Sequence, residues 1–390
     1  MHLHSHINTA LKIIDGYSGS MPLAQYLKNY FSQNKKHGSK DRKNISALCY
    51  SYYRLGHALK NVSIAERLKV AVFLCKPAVI TYDEVLPKEW LQHIDESIEN
   101  RYVFIEQLYQ AFSVKDVFPF ARELSDGAGH IEYAQSYFSQ PDLFIRARPG
   151  YMQELEARFN SAGLAFKKYD SSCFAFSNTT KIDAYLQINK EAVIQDYASQ
   201  KVGDFILDFK QQLPLSVYEV WDCCAASGGK SLLAYDILKN IDLAVSDIRP
   251  TIMHKLHDRF KEAGIKQYRP YIVDLTSPPL KMPHQKYDLI ICDAPCSGSG
   301  TWGRTPEQLF FFDDKKINEY SLLQKNILKS VVPYLSANGS LLYITCSVFA
   351  QENEEIVTYV EKNFSLNVKK MELLKGLHVY GDTIFAAIFK

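Results

Sequence analysis

Residues 221–231, WDCCAASGGKS, join a strand-like run, YEVWD, to a helix-like run, SLLAYDILKN. A strand, a glycine-containing turn and a helix in this order open a βαβ unit. From about residue 213 onward, further strand-like runs alternate with helix-like ones: DLAVSD, QYRPYIVD, YDLIICD, GSLLYITC and DTIFAAIFK. The alternation predicts an α/β domain with a parallel, doubly wound sheet, in which ligands bind at the carboxyl ends of the strands.

Two other interpretations of this stretch are disfavoured. The ending GGKS resembles a P-loop, but Cys224 stands where the first glycine of G-x-x-x-x-G-K-[ST] belongs, which argues against an NTPase. Adjacent Cys223 and Cys224 would point to opposite sides of a strand, and the chain has no CxxC pair. We therefore expect no metal site.

The composition limits the class of protein. The 390 residues suggest two or three domains. With 45 basic and 43 acidic residues, any positive surface must be local. We expect no signal peptide and no membrane span. The eight cysteines lack disulfide-framework spacing and are interpreted as reduced thiols of a cytoplasmic protein.

Acidic residues follow successive strand-like runs. Asp247 follows the second, Asp274 the third and Asp293 the fourth. A single acid after a strand is common, because helix N-caps prefer aspartate. Recurrence favours a nucleoside-type cofactor whose ribose hydroxyls an acid binds, while Gly228 and Gly229 let the backbone approach it. The pattern fits S-adenosylmethionine (SAM) in a methyltransferase sheet.

Four motifs in this half resemble the Sun/Fmu-type (RsmB/Nop-like) RNA (cytosine-5)-methyltransferase family. They are D-x-C-A-A-x-G-G-K (Asp222–Lys230), D-A-P-C-S-G-x-G (Asp293–Gly300), R-x-P-E (Arg304–Glu307) and T-C-S (Thr345–Ser347). The preceding EAVIQDYASQKVGDFI resembles the family's Q-D-x-A-S segment, and SKDRKNISALCYSYYR more weakly resembles its helical RNA-binding extension. Ser227 departs from the family, which usually has proline there, but we expect cofactor binding to be retained.

The resemblance implies three domains. They are a helical RNA-binding extension over residues 1–135, a small RRM-like α+β module over 136–210, and a Rossmann-like SAM-dependent methyltransferase domain over 211–390. The implied enzyme is an RNA (cytosine-5)-methyltransferase of EC class 2.1.1. The helical extension favours rRNA over tRNA as the substrate. A tRNA enzyme, or an RNA-binding ribosome assembly factor with incidental or lost catalysis, remains the alternative. We expect a monomer that binds neither membrane nor metal.

The resemblance also implies roles for two cysteines. Cytosine C5 is a poor nucleophile, and adding a thiolate to C6 activates it. Cys346 is implied to be the nucleophile and Cys296 to assist release of the product. DNA enzymes use the cysteine of a PC dipeptide as the attacker, so the presence of both PC and TC cysteines points to RNA. Cys223, Cys224 and Cys292 are expected to pack in strands without a catalytic role.

The remaining predicted site residues surround these cysteines. Asp293 is expected to hydrogen-bond the base and Lys230 to help hold the target nucleotide, unless Lys230 is only a surface lysine at a helix start. The predicted cofactor-binding residues are Cys224, Ala225, Ala226, Ser227, Gly228, Gly229, Lys230, Asp247, Arg249, Asp274 and Asp293.

Predicted contacts with RNA lie on three other segments. Arg146 and Arg148 belong to the start of the small module, and Arg304 follows a glycine-rich loop, where it either shapes an RNA-facing wall or forms a structural ion pair with Glu307. A basic run near the N-terminus is either a phosphate-binding patch or a solvated loop, with both interpretations open: Lys28, Lys35, Lys36, Lys40, Arg42 and Lys43.

Overall fold

The computed structural model describes residues 3–283 and 285–390. The chain forms two compact units, one comprising residues up to 124, 128–140 and 301–313, the other 125–127, 141–300 and 314–390. None of the described helices is long and apolar enough to cross a membrane.

The α-helices are α1 Leu3–Gly16, α2 Leu23–Gln33, α3 Ser39–Arg54, α4 Ile64–Cys75, α5 Lys88–Leu91, α6 Ile98–Leu108, α7 His130–Ser136, α8 Met152–Ser161, α9 Tyr197–Gln212, α10 Gly229–Leu238, α11 Pro250–Ala263, α12 Pro306–Phe311, α13 Lys315–Val331 and α14 Glu354–Asn363. The strands are β1 Leu143–Ala147, β2 Lys167–Tyr169, β3 Cys173–Phe176, β4 Ala192–Ile194, β5 Tyr218–Asp222, β6 Ile241–Asp247, β7 Arg269–Ile272, β8 Tyr287–Asp293, β9 Leu335–Thr345, β10 Val368–Lys375 and β11 Thr383–Phe389.

The first unit is helical and includes α12, although α12 is distant in sequence. Apolar residues of α3 at helical spacing, such as Ile45 and Leu48, are fully buried. The guanidinium of Arg67 in α4 is buried and donates to three backbone carbonyls. His57 is hydrogen-bonded through Nε2 to the carbonyl of Leu309 in α12, at 2.9 Å. The R-x-P-E segment is therefore built into the helical unit.

The second unit contains two sheets, of which the smaller lies in residues 143–194. Its strands have the order β2-β3-β1-β4, and every pair is antiparallel. Phe159 of α8 packs on Phe174 and Phe176 of β3. The spatial order of the strands and the β-α-β-β sequence of the first elements match the ferredoxin-like pattern. That pattern has a second helix before the last strand, and here a 3₁₀ turn at Ile182–Ala184 takes its place.

The larger sheet has seven strands in the order β10-β11-β9-β8-β5-β6-β7. The pairs from β9 to β7 are parallel, whereas β11 is antiparallel to both of its neighbours. The predicted parallel sheet is thus confirmed from β9 to β7, and an antiparallel pair, β10 and β11, extends it at one end. The short connection between β10 and β11 allows only an antiparallel pair, since a parallel pair needs a long crossover.

Helices cover both faces of the larger sheet, as the βαβ alternation predicts. Residues of α9, α10 and α11 bury one face, and residues of α13 and α14 bury the other. The strand order reverses between β5 and β8, where β6 continues to one side and β9 to the other. Open α/β sheets bind ligands at the carboxyl ends of the strands beside such a reversal.

Candidate active site

The turn between β5 and α10 is built around Gly228. Its φ of 81° lies in the left-handed region, and a Cβ there would lie 2.6 Å from the ring of Phe260. Glycine alone satisfies both conditions without strain. Ala226 also has a positive φ, 46°, and its N–H donates to Asp247 Oδ2 at 3.1 Å. The turn is therefore anchored to the carboxyl end of β6.

Ser227, which replaces the proline usual in the resembling family, has a partner in α11. Its hydroxyl accepts a hydrogen bond from Arg259 Nη1 at 3.2 Å. Burial lowers the pKa of Arg259, but a guanidinium remains protonated at neutral pH. The bond is therefore charge-assisted. At this position a proline ring would restrict the backbone of the turn, whereas Ser227 attaches the turn to α11 through its side-chain hydrogen bond.

A pocket of about 480 Å³ lies beside this turn. Its volume is within the range of small-molecule sites. Apolar side chains and three carboxylates line it, among them Cys224, Ala226, Asp247, Ile248, Asp274, Leu275, Asp293 and Ile327. A nucleoside fits such a lining, because its base needs apolar walls and its hydroxyls need acceptors.

Asp247 is the pocket carboxylate that accepts the most hydrogen bonds. It accepts hydrogen bonds from the N–H and Nε of Arg249, both at 2.9 Å, and from Nη2 at 3.0 Å. Burial opposes ionisation of Asp247, but these bonds and the one from Ala226 lower its pKa overall. The Arg249 side chain is 57% exposed. It can rotate into solvent and leave the carboxylate oxygens to ligand hydroxyls.

Asp274 follows β7 and closes its own turn. Its Oδ1 accepts hydrogen bonds from the N–H and hydroxyl of Thr276, at 2.8 and 2.6 Å, and its Oδ2 from the hydroxyl of Ser277, at 3.0 Å. These bonds lower the pKa of Asp274. An ionised carboxylate thus lies on the pocket wall beyond β6.

Lys230 points inward and contacts Asp293. Its side chain is 10% exposed, and Nζ donates to Asp293 Oδ2 at 3.2 Å and to the hydroxyl of Ser199 at 2.9 Å. A solvated lysine at a helix start would have neither burial nor two partners. Ser199 belongs to the Q-D-Y-A-S segment that begins at Gln195, so this motif positions the lysine. The sequence motif identified the segment that begins at Gln195, but it did not predict the contact between Ser199 and Lys230.

The predicted catalytic cysteines meet at the ends of neighbouring strands. Cys296 follows β8 and Cys346 follows β9, and their sulfurs lie 3.4 Å apart. Both residues are half-buried. The hydrogen bond with Cys346 and burial raise the pKa of Cys296. The N–H of Gly300 donates to the carbonyl of Cys346 at 2.9 Å, which joins the two loops directly.

A buried glutamate that the sequence did not signal fixes both cysteine loops. Glu352 Oε2 accepts hydrogen bonds from the N–H of Ser297 at 2.8 Å and from Gln324 Nε2 at 3.1 Å. Its Oε1 accepts one from the hydroxyl of Ser347 at 2.9 Å. Ser297 directly follows Cys296, and Ser347 directly follows Cys346. One carboxyl group therefore sets the separation of the two sulfurs.

Three further cysteines converge, contrary to expectation. The sulfurs of Cys223, Cys224 and Cys292 lie within 4.8 Å of one another. Side chains alternate only within a strand, and β5 ends at Asp222, so the adjacent pair is not held apart. Hydrogen bonds from Cys223 and Cys224 lower the pKa of Cys292, whereas burial raises that of Cys223.

Arg146 and Arg148, which we expect to contact RNA, have side chains that are largely buried and ion-paired. Their side chains are only 6% and 11% exposed, and both pair with Asp236 in α10, at 2.7 and 2.8 Å. Arg146 Nε also donates to Gln195 Oε1 at 2.8 Å. These arginines join the small sheet to α10, because a buried guanidinium needs a carboxylate partner.

The R-x-P-E segment lies in the helical unit, as described above. Glu307 is buried, and its Oε1 accepts a hydrogen bond from the N–H of Leu23 at 3.1 Å. Burial raises the pKa of Glu307. Arg304, by contrast, is half-buried, in the turn that precedes α12.

The Rossmann-like sheet, with its pocket at the strand reversal, defines the fold class of SAM-dependent methyltransferases. Among solved structures, PH0851 shares the fold over 99% of this chain and 98% of its own, with a TM-score of 0.72 and 17% identity. NSun6 from Pyrococcus horikoshii with SFG covers 67% of this chain and 94% of its own, with a TM-score of 0.57 and 13% identity.

Sequence comparisons match the same part of the chain. Residues 213–379 match the model of 16S rRNA methyltransferase RsmB/F. Ribosomal RNA small subunit methyltransferase B of Salmonella paratyphi B is 31% identical over 170 residues, which are 43% of this chain and 38% of the relative. The protein of the same name from Salmonella heidelberg gives the same values. The match thus spans well under half of these relatives.

Proposed function

We propose that this protein is a SAM-dependent RNA cytosine-5 methyltransferase that acts on ribosomal RNA. The observation that carries the proposal is the 3.4 Å separation of the Cys296 and Cys346 sulfurs beside the pocket edge. Transfer to a ring oxygen or nitrogen needs no thiol, because those atoms are already nucleophilic. Two thiols within reach of one base suit an atom that must first be activated, as cytosine C5 must be.

The pocket residues would hold the cofactor in the following way. Asp247 would accept the ribose hydroxyls once Arg249 rotates away, Ile248 and Leu275 would pack on the adenine, and Asp274 would accept from the adenine edge. The N-terminus of α10, which begins at Gly229, favours the carboxylate of the methionine portion. When bound, SAM would supply the methyl group of its sulfonium.

The target cytosine is bound and activated by four side chains. Asp293 hydrogen-bonds the polar edge of the base, while Lys230 fixes Asp293 and adds positive charge to the pocket. The Cys346 thiolate adds to C6, and the electron pair of the C5–C6 bond makes C5 nucleophilic. Cys296 retains its proton, since its pKa is raised, and its thiol can donate to the sulfur of Cys346.

Release of the product needs the second cysteine. After methyl transfer, C5 carries both the methyl group and its original hydrogen. The pair of the C6–S bond returns to the sulfur of Cys346, which takes the proton of the Cys296 thiol, and the Cys296 sulfur accepts the C5 hydrogen as a proton, which restores the C5–C6 double bond. Cys296 lies near enough to assist this elimination. Methyl transfer therefore needs Cys346, whereas turnover needs both cysteines.

Two features support ribosomal RNA as the substrate. The relatives over this domain are named as methyltransferases of the small ribosomal subunit RNA, and the family model is named for 16S rRNA. In the helical unit, the six cations of the Lys28–Lys43 run are all exposed around the start of α3, where phosphates could reach them. The target base must also leave its stack, which single-stranded or loop RNA makes less costly.

Bisulfite sequencing of RNA from a strain that lacks the gene tests the proposal. We expect one or more protected rRNA cytosines to lose protection, and a plasmid copy, but not its Cys346→Ala variant, to restore it. Loss confined to tRNA would overturn the rRNA assignment. An unchanged pattern in rRNA and tRNA would overturn the enzymatic proposal. Rescue of a growth defect by the inactive variant would favour an assembly factor.

A further inference from the structure

The three-cysteine cluster follows from strand register. Within β5 and β8, Trp221 pairs with Ile290 and Asp222 with Ile291, so the next pair in the parallel register is Cys223 with Cys292. The N–H of Cys223 donates to the carbonyl of Ile291 at 2.9 Å, which extends the register by one residue. Neighbours in parallel register share a face, so these two thiols lie side by side in the core.

Cys224 completes the cluster from the pocket side. The chain turns after β5 and brings its sulfur to within 4.8 Å of the other two. Cys223 and Cys292 are fully buried among apolar residues such as Val273 and Tyr343, whereas Cys224 is partly exposed. Cys223 and Cys224 both line the cofactor pocket. The cluster is therefore shielded from solvent on the core side and is accessible from the pocket.

The number and type of ligands decide which ion would fit. Three sulfurs that each bind one ion at about 2.3 Å lie roughly 4 Å apart, within the observed limit. Among the described residues, no histidine or carboxylate joins the three sulfurs as a fourth ligand. Structural zinc takes four ligands, while soft thiolates select Cu(I), which is stable with three. Hard cations such as Mg²⁺ need oxygen ligands.

We propose that Cys223, Cys224 and Cys292 form a three-sulfur site for a single Cu(I) ion, which enters through the cofactor pocket. Binding forms three Cu–S bonds and releases the thiol protons to solvent, with no change in the oxidation state of copper or sulfur. The site is separate from the Cys296–Cys346 pair and takes no part in methyl transfer.

Competition titration of the reduced full-length protein under anaerobic conditions tests the site. The probe is Cu(I) in competition with the chromophoric chelator bicinchoninate. Because Cys296 and Cys346 could bind copper as a pair, the protein carries Cys296→Ala and Cys346→Ala throughout. We expect one Cu(I) per chain. Adding Cys292→Ser should weaken binding at least 10-fold, whereas the matched variant Cys173→Ser, at a buried cysteine of the small sheet, should not.

Copper affinity that is unchanged by Cys292→Ser, or no copper retained before that substitution, would overturn the proposal. X-ray absorption on the Cu(I)-loaded parent does not depend on whether Cys292→Ser folds. It should report three sulfur neighbours and no nitrogen or oxygen neighbour. Coordination by two sulfurs, or a mixed ligand set, would contradict the three-sulfur site.

Discussion

The sulfurs of Cys296 and Cys346 lie 3.4 Å apart, although fifty positions separate the two residues in sequence. Parallel pairing of β8 with β9 brings the two loops together, because the pair Asp293 and Ile344 ends both strands at the same edge. The hydrogen bonds of Glu352 then fix the loops relative to each other. The catalytic proposal depends on this separation.

Substitution Glu352→Gln should impair chemistry more than binding. A glutamine amide points its NH₂ group at one of the hydrogen-bond donors, either the N–H of Ser297 or the hydroxyl of Ser347, and the loops must shift. Misplacement by about 1 Å costs on the order of 10²-fold in rate. We expect kcat to fall by about that factor with KM for RNA little changed. Glu355→Gln, at an exposed neighbour, is the control and should match the parent. A rise in KM with unchanged kcat would refute the positioning role.

The bond between Ser227 and Arg259 should contribute to cofactor binding. Ser227→Ala removes the acceptor and Arg259→Met removes the donor, so either variant loosens the turn before α10. A double-mutant cycle on SAM affinity, measured by calorimetry, should give a coupling of about 1 to 3 kcal/mol, as for a hydrogen bond to a charged group. If the effects of the two substitutions on SAM affinity were additive, the hydrogen bond would not contribute to cofactor binding, and Ser227 would not replace the proline in holding the turn.

Removing Asp236 should destabilise the second unit severely. Asp236→Ala leaves the guanidiniums of Arg146 and Arg148 buried without their carboxylate, which costs roughly 3–5 kcal/mol. Urea unfolding measures the loss. Glu156→Gln breaks the partly exposed pair with Lys168 and should cost less than about 1 kcal/mol. If Asp236→Ala lowered the free energy of unfolding only slightly and weakened RNA binding, the two arginines would be RNA-binding residues instead.

The contribution of Glu307 to the stability of the helical unit should decrease as the pH rises from acid to neutral. Burial raises the pKa of Glu307, so the folded state holds a proton that the unfolded state loses above about pH 4.3. The stability from this group is complete below that pH and is lost as the pH rises through the folded value. The change in urea midpoint on going from acid to neutral pH should be more positive in Glu307→Gln than in the parent, because the substitution removes a contribution that falls with pH. Glu89→Gln, at an exposed residue, is the control and should show the same change in urea midpoint with pH as the parent. If Glu307→Gln also showed the parent's change, Glu307 would not be the group responsible.

The sequence predicted the sheet well wherever strands are buried. Runs such as YEVWD and YDLIICD have apolar centres, Val220–Trp221 and Leu289–Cys292, as is typical of strands covered on both faces. The strand β10, VKKMELLK, was missed because it lies at an edge, carries four charged residues and has Leu374 as its one buried residue. Lys370, for instance, pairs with Asp208 at 3.0 Å and lies over the ring of Phe205. Such a contact depends on α9, which a local pattern does not include.

Predictions about the site were limited by long-range partners. The motifs singled out the two cysteines proposed to be catalytic, Asp293 and Lys230, since each follows a recognisable strand or begins a helix. Arg146 is buried because Asp236, ninety residues away, folds against it. Likewise, the convergence of Cys223 and Cys224 depends on where β5 ends. A difference of one residue in a strand end decides whether two adjacent thiols diverge or meet.

The covalent adduct is the most direct test of the central claim that Cys346 attacks cytosine and Cys296 assists release. Cys296→Ala protein, incubated with SAM and substrate rRNA, should accumulate a protein–RNA species that survives a denaturing gel. Adding Cys346→Ala should abolish that species, while the parent protein should show little of it because it turns over. A stable adduct that persists without Cys346, or no adduct in Cys296→Ala although methyl transfer occurs, would contradict the account.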